Sequence, residues 1–291
     1  MHVAQLMQRA VLVLAEAGVE SALVDVQLLL GHCLGKTRTE LFLYPENPVS
    51  SGSEAAFNLL LARRVQREPL AYILGEQEFW SLDFKVNSHV LIPRPETEFM
   101  LEKVLASAGA WRESVTPVLD LCTGSGVIAV VLAKELGRPV VAVDISEEAL
   151  QVARFNAHRH HVAINFIRSD LFANIEPLHQ FGLIVSNPPY VSRGAIAHEL
   201  EPEVASYEPH LALDGGAGDG LDFIRRMRDD LPKYLSLGGE VFIEFGADQG
   251  AAIADLFAEP GSDGSSFTDV HVLQDYARRD RVLYARLLSH N

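Results

Sequence analysis

The sequence predicts an α/β protein in which an open, mostly parallel sheet follows a small helical bundle. Beyond residue 116, short apolar runs alternate with helix-like stretches, and such alternation builds a parallel sheet through right-handed crossovers. Residues 1–75 instead carry apolar side chains at helical spacing. Polar residues stand where several predicted strands end. Ligands of open parallel sheets bind beyond those ends, so the pattern also predicts where a site lies.

The first 75 residues are expected to form a separate helical domain. Their apolar residues recur one helical turn apart, as in Leu6, Ala10 and Leu14. A longer helix is predicted over residues 54–67. Three arginines close this helix: Arg63, Arg64 and Arg67. Such a group is usually a solvated helix end, and binding of a partner is the alternative.

Residues 76–93 change to a strand pattern and are predicted to be a hairpin linker. Apolar and polar residues alternate from Trp80 to Val86. Asn87 and Ser88 can then turn the chain before a second apolar run at residues 90–92.

A helix is predicted to begin after this linker, since Pro95 suits the first helical position and acidic residues favour the first turn. The stretch from Arg94 to Glu98 has two interpretations. It is either an acidic helix start or part of the lining of an active site.

Residues 94–291 are expected to form one α/β domain. Strands are predicted over residues 117–121, 139–143, 162–167, 183–186 and 239–245, with a final hairpin over 267–273 and 282–288. Helices are predicted over residues 127–136, 220–235 and 251–257, and after the capping residue Ser146.

Composition limits the classes of partner. The chain has 291 residues and a net charge of −15. Residues 1–75 hold 6 Lys and Arg against 7 Asp and Glu, so −14 of this charge lies in the remainder. Such a surface disfavours the backbone of a nucleic acid. Two cysteines and no apolar run of membrane-spanning length favour a reducing cytoplasm.

The run Asn187-Pro188-Pro189-Tyr190 ends a predicted buried strand and suggests the chemistry of the site. Neither proline has a backbone N–H, so the Pro188 carbonyl can face a ligand instead of a ladder partner. Asn187 adds a second acceptor, and Tyr190 adds an aromatic face. Two acceptors beside such a face suit a planar –NH2 group, either a carboxamide or the exocyclic amine of a base.

The glycine loop after the first strand of the α/β domain predicts a cofactor site. Gly124 and Gly126 fit the spacing of a dinucleotide loop, and Asp144 lies near the position of a ribose ligand, so a nicotinamide dinucleotide is one candidate. Asp120 at the mouth of the loop would repel a pyrophosphate. It suits a ligand with an ammonium group and a carboxylate, such as the methionine end of S-adenosylmethionine.

Four strand ends each deliver a polar residue to one edge of the predicted sheet: Asp120, Asp144, Asp170 and Asn187. Asp144 would bind the ribose hydroxyls. Asp170 would accept a hydrogen bond from an adenine amine, with Leu171 packed on the ring. Three histidines at 158, 160 and 161 lack acidic or cysteine partners at a metal-binding spacing, so no metal site is expected.

These motifs resemble those of class I S-adenosylmethionine-dependent methyltransferases. The resemblance rests on the loop from Asp120 to Gly126, on Asp144, on Ser169 and Asp170, and on the Asn-Pro-Pro-Tyr run. Further stretches make the whole chain similar to the peptide chain release factor glutamine N5-methyltransferase family: residues 67–75, 79–80, 92–98, 207–209 and 277–282. Two departures are Cys122, where a glycine is common, and Gly182, where an acidic residue often stands.

The resemblance implies a seven-stranded Rossmann-like methyltransferase domain at 94–291 and a helical substrate-recognition domain at 1–75. It implies S-adenosylmethionine as methyl donor, S-adenosylhomocysteine as product, and the glutamine of a Gly-Gly-Gln motif in class 1 release factors as acceptor. The catalytic residues are then Asn187, Pro188 and Tyr190, and the substrate-binding residues are the same three with Pro189. The cofactor-binding residues are Asp120, Cys122, Thr123, Gly124, Ser125, Gly126, Asp144, Asp170, Leu171 and Asn187.

Three other functions compete with glutamine methylation. An adenine N6 methyltransferase would share the pocket but must grip a nucleic acid, which the acidic charge disfavours. A methyltransferase fold that only binds a partner would not need Asp144 and Asn187. A dinucleotide oxidoreductase leaves the Asn-Pro-Pro-Tyr run without a role. We therefore expect release factors as partners, with no direct binding of nucleic acid and no membrane.

Overall fold

The computed structural model describes residues 1–107, 116–176, 181–261 and 264–288. The chain divides into two compact units. The first comprises Met1–Glu76 together with Glu201–Tyr207, and the second comprises Gln77–Leu200 together with Glu208–Asn291. The short segment at 201–207 was not expected in the helical unit, because no local pattern in its sequence marks it.

The first unit is a bundle of helices, in agreement with the helical periodicity of its sequence. Its first five helices are α1 Val3–Glu16, α2 Ala22–Leu34, α3 Arg38–Leu43, α4 Ser51–Val65 and α5 Leu70–Leu74. Leu6, Ala10 and Leu14 are fully buried in its core, where they meet Phe57 of α4. α4 begins at Ser51, before the predicted residue 54, because the Ser50 hydroxyl accepts a hydrogen bond from the Ser53 amide.

The predicted solvated end of α4 is wrong for Arg64. Its guanidinium is buried and donates to Asp25 Oδ2 at 2.7 Å and to Glu203 Oε1 at 2.9 Å. Arg67 binds the same Glu203 carboxylate through Nε at 2.7 Å and Nη2 at 2.5 Å. Since Asp25 and Glu203 are distant in sequence, the cluster could not be read from local spacing. These ion pairs hold the short helix Pro202–Tyr207 within the helical unit.

The hairpin exists, but its turn lies elsewhere than predicted. Strands β1 Glu76–Phe79 and β2 Leu82–Lys85 pair across Trp80 and Ser81. Both turn residues are left-handed, with φ of 55° and 56°, as a tight two-residue hairpin turn requires. Neither residue type favours that conformation, so the sequence pointed to Asn87 and Ser88 instead.

The second unit contains a seven-stranded sheet of the predicted class. Its strands are β3 Val118–Leu121, β4 Val140–Asp144, β5 Ile164–Arg168, β6 Phe181–Ser186, β9 Leu235–Glu244, β10 Phe267–Gln274 and β11 Asp280–Leu287. Their order in the sheet is β10-β11-β9-β6-β3-β4-β5. The first four and β9 are parallel, whereas β11 is antiparallel to both β9 and β10. The final hairpin is therefore confirmed, and its second strand lies inside the sheet.

Helices cover both faces of this sheet. They are α6 Pro95–Ser107, α7 Val127–Leu136, α8 Glu147–Arg159, α11 Asp222–Tyr234 and α12 Gly250–Ala258. The helix α9 Arg193–His198 lies outside this sheet, and α10 is Pro202–Tyr207 of the first unit. Successive residues of β6 face opposite cores, since Leu183 packs with α6 and α7 and Ile184 with α11 and α12. The acceptor motif is the Asn-Pro-Pro-Tyr run at residues 187–190. The strand β7 Val191–Ser192 follows it directly and pairs in parallel with β8 Asp214–Gly216.

α7 matches its predicted bounds because a left-handed glycine stands at each end, Gly126 and Gly137. Among the helices of the described ranges, none is long and apolar enough to span a membrane.

Candidate active site

A cavity of about 310 Å³ opens beyond the carboxyl ends of β3, β4, β5 and β6. Most of the predicted cofactor positions line it: Cys122, Thr123, Gly124, Ser125, Asp144, Asp170, Leu171 and Asn187. Pro189 also lines it, whereas Asp120, Gly126, Pro188 and Tyr190 do not. Its size is within the usual range for a small-molecule site.

Asp144 at the end of β4 ties the glycine loop to its neighbouring strand. Its Oδ2 accepts from the Gly124 amide at 2.8 Å, and its Oδ1 accepts from the Ser146 amide at 2.9 Å. Burial raises the pKa of Asp144, and the backbone hydrogen bonds oppose that rise. Each carboxylate oxygen has a second lone pair, so Asp144 can still accept from a ligand.

Asp120 lies behind the loop and not at the cavity wall. It is fully buried, and its Oδ2 accepts from Thr123 Oγ1 at 2.6 Å and from the Ala129 amide at 3.0 Å. Its Oδ1 has no hydrogen-bond partner among the described residues. Burial raises the pKa of Asp120 to about 7, with the Thr123 hydrogen bond opposing the rise. The carboxyl therefore fastens the loop to the start of α7.

The two glycines of the loop have different structural roles. At Gly124, where φ is +53°, an added Cβ would meet no protein atom within 4 Å, and the residue borders the cavity. At Gly126, an added Cβ would lie 2.9 Å from Ala153 Cβ of α8. Gly124 thus leaves room for a ligand, whereas Gly126 lets two helices pack closely.

Both departures from the family pattern have a local structural context. Cys122 has a φ of 61°, a left-handed conformation in which glycine is unstrained, so a glycine is the easier residue there. Burial raises the pKa of its thiol, with the Asp144 carboxylate adding to the effect. At Gly182 a Cβ would lie 2.3 Å from Thr116 Oγ1, so a larger residue would require this strand edge to shift.

Asn187, just beyond β6, is held by a chain of hydrogen bonds through Thr97 and Glu244. Its Nδ2 donates to Thr97 Oγ1 of α6 at 3.1 Å. Thr97 in turn donates to Glu244 Oε2, at the end of β9, at 2.7 Å. Within the described residues, no hydrogen bond occupies Asn187 Oδ1, which is the atom suited to accept from an –NH2 group.

Tyr190 is fixed through both its hydroxyl and its backbone. The hydroxyl donates to Glu244 Oε1 at 3.4 Å, and Gln249 Nε2 donates to the Tyr190 carbonyl at 2.8 Å. Glycines enclose the same backbone, since a Cβ at Gly215 would lie 2.7 Å from Tyr190 Cα and one at Gly220 would lie 2.2 Å from Tyr190 O. The Asn-Pro-Pro-Tyr run is therefore clamped in one conformation.

The stretch from Arg94 to Glu98 begins α6, with Glu96 and Glu98 in the first turn of the helix. Its Thr97 contacts Asn187, so the stretch also reaches the predicted acceptor motif. Glu98 instead accepts from the Trp80 amide at 2.6 Å and stabilises the hairpin turn, while Arg94 pairs with the buried Glu208. Thr97 was thus in a stretch that the sequence pointed to, whereas Glu244 and Gln249 carried no local signal.

Of the three histidines at 158, 160 and 161, His160 packs against the hairpin, and the other two are exposed. His160 Nε2 lies 2.9 Å from the Asp83 carbonyl oxygen, and its ring lies 4.8 Å from that of Phe84. In the part of the chain that the structure describes, no group of three or more His, Cys, Asp or Glu side chains could hold a metal ion.

Known families match both parts of the chain. Residues 5–75 match the PrmC N-terminal domain, and residues 96–216 match the methyltransferase small domain. The chain is 43% identical to a release factor glutamine methyltransferase of Geobacter sulfurreducens over 94% of its own length and 93% of the relative's. An enzyme of the same name from Koribacter versatilis is 43% identical over 91% of this chain and 92% of its own.

Among solved structures, the chain resembles the catalytic domain of human Mettl16 in complex with a hairpin of the MAT2A 3′ untranslated region. The TM-score is 0.52 at 15% identity, over 80% of this chain and 82% of the other. At that identity the likeness supports the fold alone.

Proposed function

This chain belongs to the family of release factor glutamine methyltransferases, and we propose that it methylates the side-chain nitrogen of a glutamine in class 1 peptide chain release factors. In this proposal the methyl group comes from S-adenosylmethionine, and the acceptor is the glutamine of a Gly-Gly-Gln motif. The observation that carries the proposal is the orientation of Asn187. Its NH2 group is bound to Thr97, so its carbonyl oxygen remains to accept from the glutamine carboxamide.

The residues of the cavity fit the proposed cofactor. Asp144 retains acceptor capacity for ribose hydroxyls, and the Asp170 carboxylate at the cavity wall suits an adenine amine. Leu171 offers an apolar surface to the base, and Gly124 leaves the backbone accessible. Asp120 adds negative charge behind the loop, where it favours a cationic ligand. When bound, S-adenosylmethionine supplies an electrophilic methyl group.

The acceptor motif would act by holding the glutamine amide. Asn187 Oδ1 and the Pro188 carbonyl accept its two hydrogens, which orients the nitrogen and helps to localise its lone pair. Pro188 and Pro189 are buried, so they keep water from this side of the amide. Tyr190, clamped by Glu244 and Gln249, shapes the pocket. Much of the rate enhancement then comes from positioning and from the exclusion of water.

We also assign recognition of the release factor to the helical domain, residues 1–75. Support comes from its apolar surface, on which Phe42 is 80% and Leu12 is 65% exposed. These residues border a groove with Met7, Val11 and Leu41. Together with the acidic charge beyond Gly75, this surface favours a protein over a nucleic acid as partner. The proposal places the reaction in a reducing cytoplasm, as the low cysteine content favours.

The test is direct. The purified protein is incubated with labelled S-adenosylmethionine and, in separate reactions, with an intact release factor, DNA or RNA. Mass spectrometry should place one methyl group on the Gly-Gly-Gln glutamine. A release factor with asparagine at that position is the matched control and should be a poor acceptor, because its amide falls short of Asn187. Methylated adenine with an unmodified release factor would refute the proposal.

A further inference from the structure

We propose that Thr97 and Glu244 are positioning residues that fix which end of the Asn187 carboxamide faces the acceptor nitrogen. This inference rests on the proposed function. It concerns two side chains that are buried, 2% and 0% exposed, and that lie on α6 and β9, away from the Asn-Pro-Pro-Tyr run in the sequence.

The orientation of a carboxamide decides whether it can bind another one. Asn187 accepts through Oδ1 and donates through Nδ2. If its side chain were rotated by half a turn, its NH2 group would face the NH2 group of the substrate. Two donors would then meet, and the glutamine nitrogen would lose the acceptor that positions it.

Thr97 allows only one orientation. A threonine hydroxyl has a single hydrogen, and here it is donated to Glu244 at 2.7 Å. Only lone pairs remain on Oγ1, so the part of Asn187 that contacts it must be the donor, Nδ2, at 3.1 Å. The direction of the first hydrogen bond therefore determines the direction of the second.

Glu244 sets the direction of the whole network through its charge. As a carboxylate it can only accept, and it faces two hydroxyls, those of Thr97 and Tyr190. A protonated Glu244 becomes a donor, so one hydroxyl must reverse its hydrogen. If Thr97 reverses, its hydrogen points to Asn187, which then satisfies it by presenting Oδ1.

The surroundings place this change of charge near neutrality. Thr97 and Glu96 face Glu244 from α6, Tyr190 faces it from the loop after β6, and Arg281 faces it from β11. Burial raises the pKa of Glu244 to about 7, while Thr97 and Arg281 oppose the rise. The ionised, correctly oriented form is thus lost as the pH falls through that value.

A pair of substitutions at Thr97 tests the role of the hydroxyl. Thr97→Val keeps the shape of the side chain but removes the hydrogen bond, and kcat should fall about tenfold or more, with KM for the release factor within about threefold. Thr97→Ser keeps the hydroxyl and should restore kcat to within about threefold of the parent. Parent-like kcat in Thr97→Val would overturn the inference.

A second readout does not need turnover. In the parent protein, the Asn187 side-chain NH2 resonance, assigned by its absence in Asn187→Ala, should exchange slowly with solvent. Thr97→Val should accelerate this exchange, whereas Thr97→Ser should not. Equal exchange in all folded variants, with matching melting temperatures, would contradict the proposed hydrogen bond.

The charge of Glu244 is tested through the pH profile. The parent kcat should fall on the acid side with one ionisation, and Glu244→Gln should have a lower kcat without that acid limb between about pH 6 and 8. An unchanged acid limb in Glu244→Gln would overturn the inference. Failure of the parent to methylate the release factor would instead overturn the proposed function, so the two failures are distinguishable.

Discussion

The glycine loop, residues 120–126, and the acceptor motif lie at the same edge of the sheet but are supported differently. The loop is held by contacts that are short in sequence, from Asp120 to Thr123 and Ala129, and from Gly124 to Asp144, at separations of 3, 9 and 20 residues. The acceptor motif is held over longer distances. Asn187 and Thr97 are 90 residues apart, and Thr97 and Glu244 are 147 apart.

This difference implies that cofactor binding and positioning of the acceptor can be disturbed separately. The glycine loop is held by two adjacent strands and the start of a helix. The acceptor motif depends on α6, β9 and the start of α12, and therefore on the assembled sheet. Substitutions on the long-range network should reduce methyl transfer, whereas those in the local loop should reduce cofactor affinity.

The largest effect is expected at Asn187. Asn187→Ala removes the acceptor for the glutamine amide, so kcat should fall about 100- to 1000-fold, as for loss of a key polar group in other active sites. Affinity for S-adenosylmethionine, measured by calorimetry, should change by less than about threefold, because Asp144 and the loop remain. A turnover within a few-fold of the parent would show that Asn187 does not hold the acceptor.

The second-largest effect is expected from a change of backbone conformation at Gly220. In Gly220→Ala, strain at a φ of +80° and a Cβ 2.2 Å from the Tyr190 carbonyl oxygen should displace the acceptor motif. We expect kcat to fall by about 10- to 100-fold with cofactor affinity retained. Gly218→Ala is the matched control, since a Cβ there meets nothing within 4 Å. Equal kinetics for the two variants would argue against the clamp.

An effect of similar size, but on cofactor affinity and not on kcat, is expected at Asp144. Asp144→Ala removes a buried charged acceptor, which corresponds to about 1.5–3 kcal/mol of binding free energy for S-adenosylmethionine. At saturating cofactor, kcat should stay near that of the parent. Unchanged affinity in a folded variant, measured by calorimetry, would remove Asp144 from the proposed cofactor site.

The smallest effect concerns pH. The pKa of Asp120 lies at about 7, so its carboxyl is neutral below that pH and ionised above it. A cationic ligand favours the ionised form, so affinity for S-adenosylmethionine should increase about three- to tenfold from pH 6 to pH 8. Asp120→Asn should weaken this dependence. If the affinity of the parent for S-adenosylmethionine did not change with pH, the charge of Asp120 would not contribute to binding.

Features that depend on contacts local in sequence were predicted, whereas those that depend on long-range contacts were missed. α7 was predicted to the residue because glycines flank it, and the polar strand ends located the cavity. The turn at Trp80 and Ser81 was missed, since its left-handed residues are supported by Glu98 from another element. Glu244 was missed for a similar reason, because within β9 it carries no local mark of its contact with Thr97.

The sequence also did not predict which side chains of a motif face the cavity. Asp120 was predicted to contact the ligand, but it faces Thr123 and Ala129 behind the loop. A loop pattern gives the order of residues along the chain, and it does not say which side chains turn inward once the helix begins. That direction depends on packing of α7 against its neighbours, such as the contact between Gly126 and Ala153.

The segment Glu201–Tyr207 limits how the helical unit can be exchanged with that of a relative. The chain passes between the two units three times, after Glu76, before Glu201 and after Tyr207. A chimera joined only at Glu76 would place a foreign helix opposite Glu203, without assured counterparts to Arg64 and Arg67. The helical unit therefore depends on two stretches that are distant in sequence. We expect relatives that lack Arg64 and Arg67 to lack Glu203 as well.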